Sequence, residues 1–236
     1  MKRFYTEVAV CPADENASDG WQVTLDGRGI KTQVGAAQVV PTRALAEMLA
    51  TEWREQSETI DPAGFVFRDM ADYAIDVIGP DSNAAAANLL AFAQTDTLCY
   101  RADPEDALFV RQEELWEPLV TACERRHGVT FVRVSGIIHD PQKGPTLERL
   151  RAHLADFDEF KLAGMQTMTA LAASLIIALE AAQEGADGEA LFAASNAEED
   201  WQAELWGWDA DAQANRQLRL QAFTMAQEFL QAAKAS

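Results

Sequence analysis

The spacing of apolar residues changes near residue 65, and this change constrains the fold more than any other feature of the chain. Before it, short runs that alternate apolar and polar residues are separated by turn-forming glycines, which is typical of strands buried on one face. After it, apolar residues recur at three- and four-residue steps, as in amphipathic helices. The sequence therefore predicts an α+β protein, with a small antiparallel β domain with a packing helix over residues 1–65 and a larger, mainly α-helical domain over residues 66–236.

The predicted β domain is a meander with a hairpin at Asp26-Gly27. A two-residue hairpin turn needs positive φ angles, which glycine adopts at no steric cost. Such a sheet must cover one of its faces, and the next segment offers a helix with Thr42 as its N-cap. The predicted runs are FYTEVAV, WQVTL, IKTQV and QVV, with a polar loop over 12–20 after the first.

The helix after Thr42 is predicted to extend from Arg43 through the segment RALAEMLATEWREQSE. Leu45, Leu49 and Trp53 recur at four-residue steps and form one apolar stripe. Trp53 is therefore predicted to be a core residue that joins this helix to the sheet.

Capping residues predict the bounds of the later helices. A helix over 69–78 is expected to end at Gly79-Pro80, and Ser82 and Asp103 are expected to cap the two that follow. The second of these ends in Arg125, Arg126 and His127 before Gly128, so that cations lie at the negative end of the helix dipole.

Two further segments show clear patterns. Residues 129–134 (VTFVRV) alternate as one more strand, and a helix is expected after Pro145. Residues 162–179 are uncharged and long enough to span a bilayer. They contain many alanines and polar residues and have no aromatic or basic flanks, so a single buried core helix is predicted, with no stable membrane insertion.

Composition excludes several classes of partner and compartment. The net charge of −19 opposes binding to nucleic acid and to anionic membranes. The three cysteines form no CxxC pair, and the three histidines have no metal-ligand spacing, so we expect a reducing compartment, no metal and no cofactor. The start MKRFYTEVAV has neither a signal core nor a presequence pattern, which favours a bacterial cytoplasm, or the mitochondrial matrix for a processed eukaryotic form.

Sequence signatures of enzymes are weak in this chain. Gly27-Arg28-Gly29 lacks a third glycine and lies in a hairpin, and neither a P-loop lysine motif nor a GxSxG elbow occurs. Glu198 and Glu199 are adjacent, and neighbours on a helix diverge by about 100°. Their carboxylates are therefore not expected to converge on one substrate atom.

The segment EEDWQAELWGWD holds three of the six tryptophans between acidic residues. Ser195 and Glu198 form a capping-box pattern that predicts a helix start, Gly207 suits its end, and Asp209 is a candidate cap for the next helix. A helix this short cannot bury large aromatics on two faces by itself. Either the rest of the chain covers the second face or a protein partner does.

Motifs of one known family occur in this chain in the same order and spacing, almost from end to end. The matching segments are Arg3-Phe4-Tyr5, LDGRGIKT (25–32), Pro41 with the ALA of 44–46, ATEWREQSETID (50–61), TDTLCYR (95–101), LWEP (115–118), RHGV (126–129) and EEDWQAELWG (198–207). On these residues the chain resembles the ATP synthase assembly chaperones that bind the free α subunit of the F-type catalytic head, the ATP-twelve chaperone family.

The resemblance implies a monomeric chaperone that holds the α subunit until the β subunit replaces it, without catalysis. It also implies an important acidic residue in the C-terminal part, here Glu198, Glu199, Asp209 or Asp211, although WDADA after Gly207 departs from the more extended acidic stretch of relatives. We therefore assign partner binding to Glu198, Glu199, Trp201, Trp206, Asp209 and Asp211, and structural roles to Trp53, Arg101, Trp116 and Gly207. The alternatives are a soluble hydrolase that uses clustered carboxylates and a generic protein-binding scaffold.

Overall fold

A computed structural model describes residues 1–13, 20–136 and 140–234. The predicted α+β class is confirmed, since a small antiparallel sheet near the N-terminus is followed by a mostly helical region. Residues 14–19 of the predicted polar loop and His139 lie outside the described residues. The chain divides into two compact units, the first made of Met1–Ser82, Asp158–Gly164 and Glu228–Ser236, and the second of Asn83–Phe157 and Met165–Gln227.

Among the described residues, four strands precede the first helix, as expected, and two short strands lie between later helices. The strands are β1 (Val8–Pro12), β2 (Trp21–Leu25), β3 (Arg28–Gly29), β4 (Val39–Val40), β5 (Tyr100–Arg101) and β6 (Val134–Ser135). The helices are α1 (Arg43–Glu55), α2 (Val66–Tyr73), α3 (Ser82–Gln94), α4 (Ala107–His127), α5 (Gly144–Ala155), α6 (Glu159–Ala172), α7 (Leu175–Ala181), α8 (Gly188–Ser195), α9 (Ala197–Trp206) and α10 (Ala210–Ala233).

The sheet of the first unit is built on the predicted hairpin. β2 pairs with β1 along its whole length and turns into β3 through Asp26 and Gly27, which have φ angles of 48° and 77°. β4 pairs with the start of β2. The strand predicted from IKTQV is wrong, because that segment makes only an isolated bridge between Lys31 and Ala37.

Helix α1 covers the sheet as predicted. The hydroxyl of Thr42 accepts a hydrogen bond from the backbone N–H of Leu45 at 3.1 Å, so Thr42 is the N-cap. Trp53 is 8% exposed, and its ring contacts those of Tyr5 and Phe65 at centroid distances of 5.5 and 4.5 Å. Its predicted place in the core is confirmed, with the helix ending at Glu55.

Several predicted helix boundaries are wrong. Helix α2 begins at Val66, not at residue 69, and Ser82 is the first residue of α3, with its hydroxyl donating to the carbonyl of Ile78. Gly79-Pro80 does not end a helix, because the π-helical turn Ala74–Ile78 and the 3₁₀ turn after it lead directly into α3 with helical backbone angles. Helix α4 begins after Asp106, whose carboxylate accepts from the N–H of Leu108 at 3.0 Å. Asp103 instead bonds the N–H of Glu105 in the preceding turn.

The end of α4 is predicted correctly, but the strand after it is not. Gly128 has a left-handed conformation and donates its N–H to the carbonyl of Glu124 at 2.8 Å. Only Val134 and Ser135 form a strand, which pairs in parallel with β5. The N–H groups of residues 130–132 are bonded to side chains of Thr146, Glu124 and Gln142, so they are not available for a ladder.

The single core helix predicted over 162–179 is two helices. Ala173 has a φ of 49°, and the side chain of Ser174 caps the start of α7 by accepting from the N–H of Ile177. The buried character of the segment is confirmed, since Leu175 to Leu179 are almost inaccessible to solvent. Within the described part of the chain, no helix is long and apolar enough to cross a membrane.

Candidate functional site

Helix α9 carries most of the residues that the sequence singled out for partner binding. The capping box predicted from Ser195 is wrong, because Ser195 is the last residue of α8 and its hydroxyl donates to the carbonyl of Phe192 at 2.8 Å. Asn196 occupies the N-cap position of α9 and makes no side-chain cap. The first turn contains Glu198, Glu199 and Asp200, whose negative charges stabilise the helix at the positive end of its dipole.

Arginines from two other helices hold α9 through its acidic residues. Arg111 of α4 donates two hydrogen bonds to the carboxylate of Glu204, at 2.6 and 2.8 Å. From α10, Arg216 pairs with Asp200 at 2.7 Å and Arg219 with Glu199 at 3.3 Å. These contacts fix the helix from two sides. None of the three arginines was predicted from the sequence, although the three-residue spacing of Arg216 and Arg219 places both on one face of a helix.

The acidic residues of α9 have separate environments. Glu198 accepts a hydrogen bond from the amide of Gln112 at 2.7 Å, whereas Glu199 faces Arg219, so the two adjacent carboxylates diverge as the helical period predicts. Burial raises the pKa of Asp200, and the neighbouring Arg216 opposes this rise. The hydrogen bonds from Arg111 lower the pKa of Glu204. The arrangement is one of ion pairs that link helices.

The aromatic residues of this region differ in how far the chain covers them. Trp201 is half-buried, and the guanidinium of Arg111 lies 5.8 Å from the centre of its ring. Trp206 is 78% exposed, Leu205 is 56% exposed and Trp208 is 41% exposed. Intramolecular packing therefore accounts for Trp201, whereas Trp206 extends into solvent. We call Leu205, Trp206 and Trp208 the α9 surface.

Two acidic residues lie next to the α9 surface, where α9 gives way to α10. Gly207 ends α9 with a φ of 85° and donates its N–H to the carbonyl of Ala203. The carboxylate of Asp209 accepts from the N–H groups of Asp211 and Ala212 at 3.0 and 3.1 Å, so its predicted role as a cap is confirmed. Asp211 is exposed in the first turn of α10.

Comparison with known proteins identifies the family. Residues 2–124 match the family model described as ATP12 chaperone protein. The chain belongs to the ATP12 chaperone family. Members of this family are assembly chaperones of the F1-ATPase.

Relatives with known structures share this fold over nearly the whole of this chain. The chain is 33% identical to Atp12 from Paracoccus denitrificans and to an aspartate-to-lysine mutant of it, each with a TM-score of 0.93 over 99% of this chain and 98% of that one. It is 34% identical to a putative chaperone from Agrobacterium tumefaciens, with a TM-score of 0.92 over 99% of this chain and 86% of that one. It is 27% identical to the mitochondrial protein atp12 of Schizosaccharomyces pombe over 202 residues, covering 80% of this chain and 69% of that protein.

Other residues that carried the resemblance to the ATP12 chaperones lie in the protein interior. The side chain of Arg101 is 1% exposed, donates to the carbonyl of Leu98 at 3.0 Å and pairs with Glu113 and Glu117. Trp116 is fully buried and donates its indole N–H to the carbonyl of Ala194 at 2.7 Å. The hydrogen bond of Trp116 connects residues 78 positions apart, whereas Arg101 joins its own turn to α4.

The described residues provide no site for a metal. Among residues 1–13, 20–136 and 140–234, no three histidine, cysteine, aspartate or glutamate side chains are placed to hold an ion. Cys99 and Cys123 are free thiols in the core, and burial raises the pKa of each well above its ordinary value. A raised thiol pKa disfavours the thiolate, which is the reactive form.

Proposed function

We propose that this ATP12 chaperone binds the free α subunit of the F-type ATP synthase head, covers its subunit interface and performs no catalysis. The observation that carries the proposal is Trp206, whose large aromatic side chain is left in solvent on a helix that is otherwise tied to its neighbours. Tryptophan is the residue type most enriched among the energetic anchors of protein interfaces. An exposed indole on a fixed helix fits this role better than a role in stability.

The ion pairs of α9 support the proposal because they preorganise its surface. Side chains and loops that must become ordered on binding reduce affinity. Arg111, Arg216 and Arg219 hold α9 before any partner arrives, so Leu205 and Trp206 are presented from an ordered helix. Glu198 and Glu199 then contribute to binding indirectly, by holding α9 in place, and the half-buried Trp201 packs beneath the α9 surface.

The charge of the chain fits a temporary partner. A free subunit with an exposed apolar interface is prone to aggregation, and covering that interface prevents it. The net charge of −19 would keep the complex apart from other complexes by repulsion. A partner that must later leave requires an interface of moderate size, with polar residues such as Asp209 and Asp211 at its rim.

The central experiment compares binding of isolated α and β subunits to wild type and to Trp206→Ser. We expect wild type to prefer the α subunit and the variant to bind it at least tenfold more weakly, with an unchanged circular dichroism spectrum. Val77→Ser is the control, because Val77 is also an exposed apolar residue, 57% accessible, but lies in the first unit. Equal binding of both subunits, or equal affinity of the variant and wild type, would reject the proposal.

The acidic rim is tested with a variant that does not disturb a helix end. Replacing Asp209 would remove the cap of α10, so Asp211→Asn is the informative change. Rim charges act mainly on the association rate and on its salt dependence. We expect Asp211→Asn to slow association with the α subunit about twofold to threefold at low salt and to leave dissociation unchanged. An unchanged association rate would remove Asp211 from the rim.

We further infer that the protein acts where F1 subunits are made or imported. Relatives include bacterial proteins and a mitochondrial yeast protein. A bacterial cytoplasm, or a mitochondrial matrix, is the compartment that fits free thiols and this chaperone family. Fractionation of the source cells, with detection of this chain together with the free α subunit, tests the assignment.

A further inference from the structure

The sheet unit contains a cavity that the α9 surface does not use. Its volume is about 500 Å³, and both walls come from segments that carried the family resemblance. One wall is Phe4 and Tyr5, the other is the chain from Arg28 to Lys31, and Trp53 lies between them. All of these residues belong to the first unit.

The inner surface of this cavity is formed by buried aromatic and aliphatic side chains. Tyr5, Leu25, Ile30 and Trp53 are buried, and the hydroxyl of Tyr5 donates to the backbone carbonyl of Trp53 at 2.6 Å. Phe4 is 61% exposed and packs edge-on against Tyr5, with ring centroids 5.4 Å apart. An exposed phenylalanine at the entrance of an apolar cavity offers a face on which another ring can stack.

One polar group of a residue in the cavity wall has no hydrogen-bond partner among the described residues. Trp53 is more than nine-tenths buried, and its indole Nε1–H finds no acceptor among the described residues. Buried indole N–H groups in native proteins usually find an acceptor. This nitrogen has almost no accessible surface, so Trp53 lines the cavity through the carbon atoms of its ring.

The mouth of the cavity has a charge opposite to that of the whole protein. Arg28 and Lys31 are both exposed, and neither forms an ion pair within the described part of the chain. Asp26 also lines the cavity, but its carboxylate accepts from the N–H groups of Thr6 and Glu7 at 3.0 and 2.8 Å. In addition to these hydrogen bonds, Arg28 lies near enough to Asp26 to help lower the pKa of that carboxyl, but forms no direct ion pair among the described residues. Both cations can therefore still bind an anion, in a chain whose net charge is −19.

The backbone of Arg28 and Gly29 has one unpaired edge among the described residues, whereas Ile30 and Lys31 are already paired with residues 37 and 38. β3 is an edge strand that pairs only with β2 among the described strands. An unpaired strand edge is a template for an extended peptide, with alternate side chains directed to one face. The apolar wall, the cations and the edge together match an extended segment that alternates aromatic and acidic residues.

We propose that this cavity is a second docking site, which takes an extended acidic and aromatic peptide segment of a partner protein. One aromatic side chain of the segment enters between Phe4 and Trp53, and its carboxylates bind Arg28 and Lys31. The site lies in the sheet unit and does not depend on the α9 surface. We therefore expect Trp206→Ser to bind the acidic peptide as wild type does, even if that variant loses binding to the α subunit.

Isothermal titration of the full chain with two synthetic peptides tests the proposal. The probes are acetyl-Phe-Glu-Phe-Glu-amide and its basic counterpart acetyl-Phe-Lys-Phe-Lys-amide. We expect the acidic peptide to bind, the basic peptide to bind at least tenfold more weakly, and the affinity for the acidic peptide to fall with added salt. Absence of binding by the acidic peptide, or equal binding of both, overturns the proposal.

Variants locate the binding. The double variant Arg28→Glu with Lys31→Glu is expected to bind the acidic peptide at least tenfold more weakly, and Phe4→Ser about fivefold more weakly. All three residues are exposed, so we expect the variants to fold. The matched control is Lys143→Glu with Arg151→Glu, which makes the same charge change at exposed residues of the second unit. An equal loss in the control, or unchanged affinity in both cavity variants, overturns the proposal.

Discussion

Asp96 is a carboxylate with no exposed surface, and it joins two distant segments of the second unit. One of its oxygens accepts from the hydroxyl of Ser174 at 2.7 Å and from the N–H of Leu98 at 3.1 Å, and the other accepts from the N–H of Ile176 at 2.9 Å. Burial raises its pKa to about 6, against the hydrogen bonds that lower it. Keeping the Asp96 carboxylate charged in the core therefore lowers the free energy of unfolding, which becomes dependent on pH.

The sign of that dependence follows from the raised pKa of Asp96. Between about pH 4 and pH 6 the folded state keeps the proton that the unfolded state loses, so the free energy of unfolding falls as the pH rises, by up to about 3 kcal/mol. Asp96→Asn removes this titration. We expect the stability of wild type minus that of the variant, from urea unfolding, to decrease across this range. A difference that is flat with pH would contradict the prediction.

The pH dependence that His127 gives to the free energy of unfolding has the opposite sign. Burial, with His153 and Arg126 nearby, lowers its pKa to about 4. Between about pH 4 and pH 6.5 the unfolded state binds a proton that the folded state does not, so this residue adds stability as the pH rises. His127→Phe preserves a ring next to His153, whose centroid is 4.6 Å away. We expect the free energy of unfolding of wild type minus that of the variant to increase with pH. The same pH dependence of the unfolding free energy in both proteins, measured by urea unfolding, would refute this.

At the scale of elements, the turn between α6 and α7 stores strain at one residue. Ala173 has a φ of 49°, where an L-residue with a Cβ costs about 1–2 kcal/mol. Glycine lacks that cost but loses about 0.5–1 kcal/mol of chain entropy. We therefore expect Ala173→Gly to stabilise the protein by up to about 1 kcal/mol, measured as a higher urea midpoint at unchanged slope.

The neighbouring residue provides the control for that variant. Ala172 is the last residue of α6 and is buried with helical geometry, so Ala172→Gly should destabilise by about 1 kcal/mol. Opposite signs at adjacent alanines would assign the effect to the backbone angle. Destabilisation by both variants would show that the turn carries no such strain.

Elements that depend on local residues could be predicted from the sequence, whereas this turn could not. The hairpin at Asp26, the cap at Thr42 and the helix end at Gly128 each depend on residues within one turn, and all three predictions are confirmed. The break at Ser174 depends on Asp96, which is 78 residues away and bonds its hydroxyl. No local pattern in an uncharged alanine-rich segment contains that contact.

The candidate site shows the same limit. The cap at Asp209 and the divergence of adjacent acids followed from helical spacing. The pair between Arg111 and Glu204 joins residues 93 positions apart, and only the fold brings them together. The exposure of Trp206 is likewise a consequence of packing, because Trp201 in the same helix is covered.

At the scale of the whole molecule, charge and the α9 surface act against each other. A net charge of −19 keeps copies of the chain apart in dilute buffer, whereas Trp206, Leu205 and Trp208 offer apolar area on which two copies could associate. Repulsion between surface charges acts over about 10 Å at 0.1 M salt and about 3 Å at 1 M. Salt therefore weakens the repulsion and leaves the apolar attraction.

This balance predicts a monomer at low salt that self-associates reversibly when salt is added. We expect sedimentation velocity at 1 M sodium chloride to give a larger weight-average mass than at 50 mM, with recovery of the monomer on dilution. Trp206→Ser should remain monomeric at both concentrations, whereas Val77→Ser should behave as wild type. If wild type and Trp206→Ser associate to the same extent, the α9 surface is not the apolar contact between copies and does not need a partner to cover it.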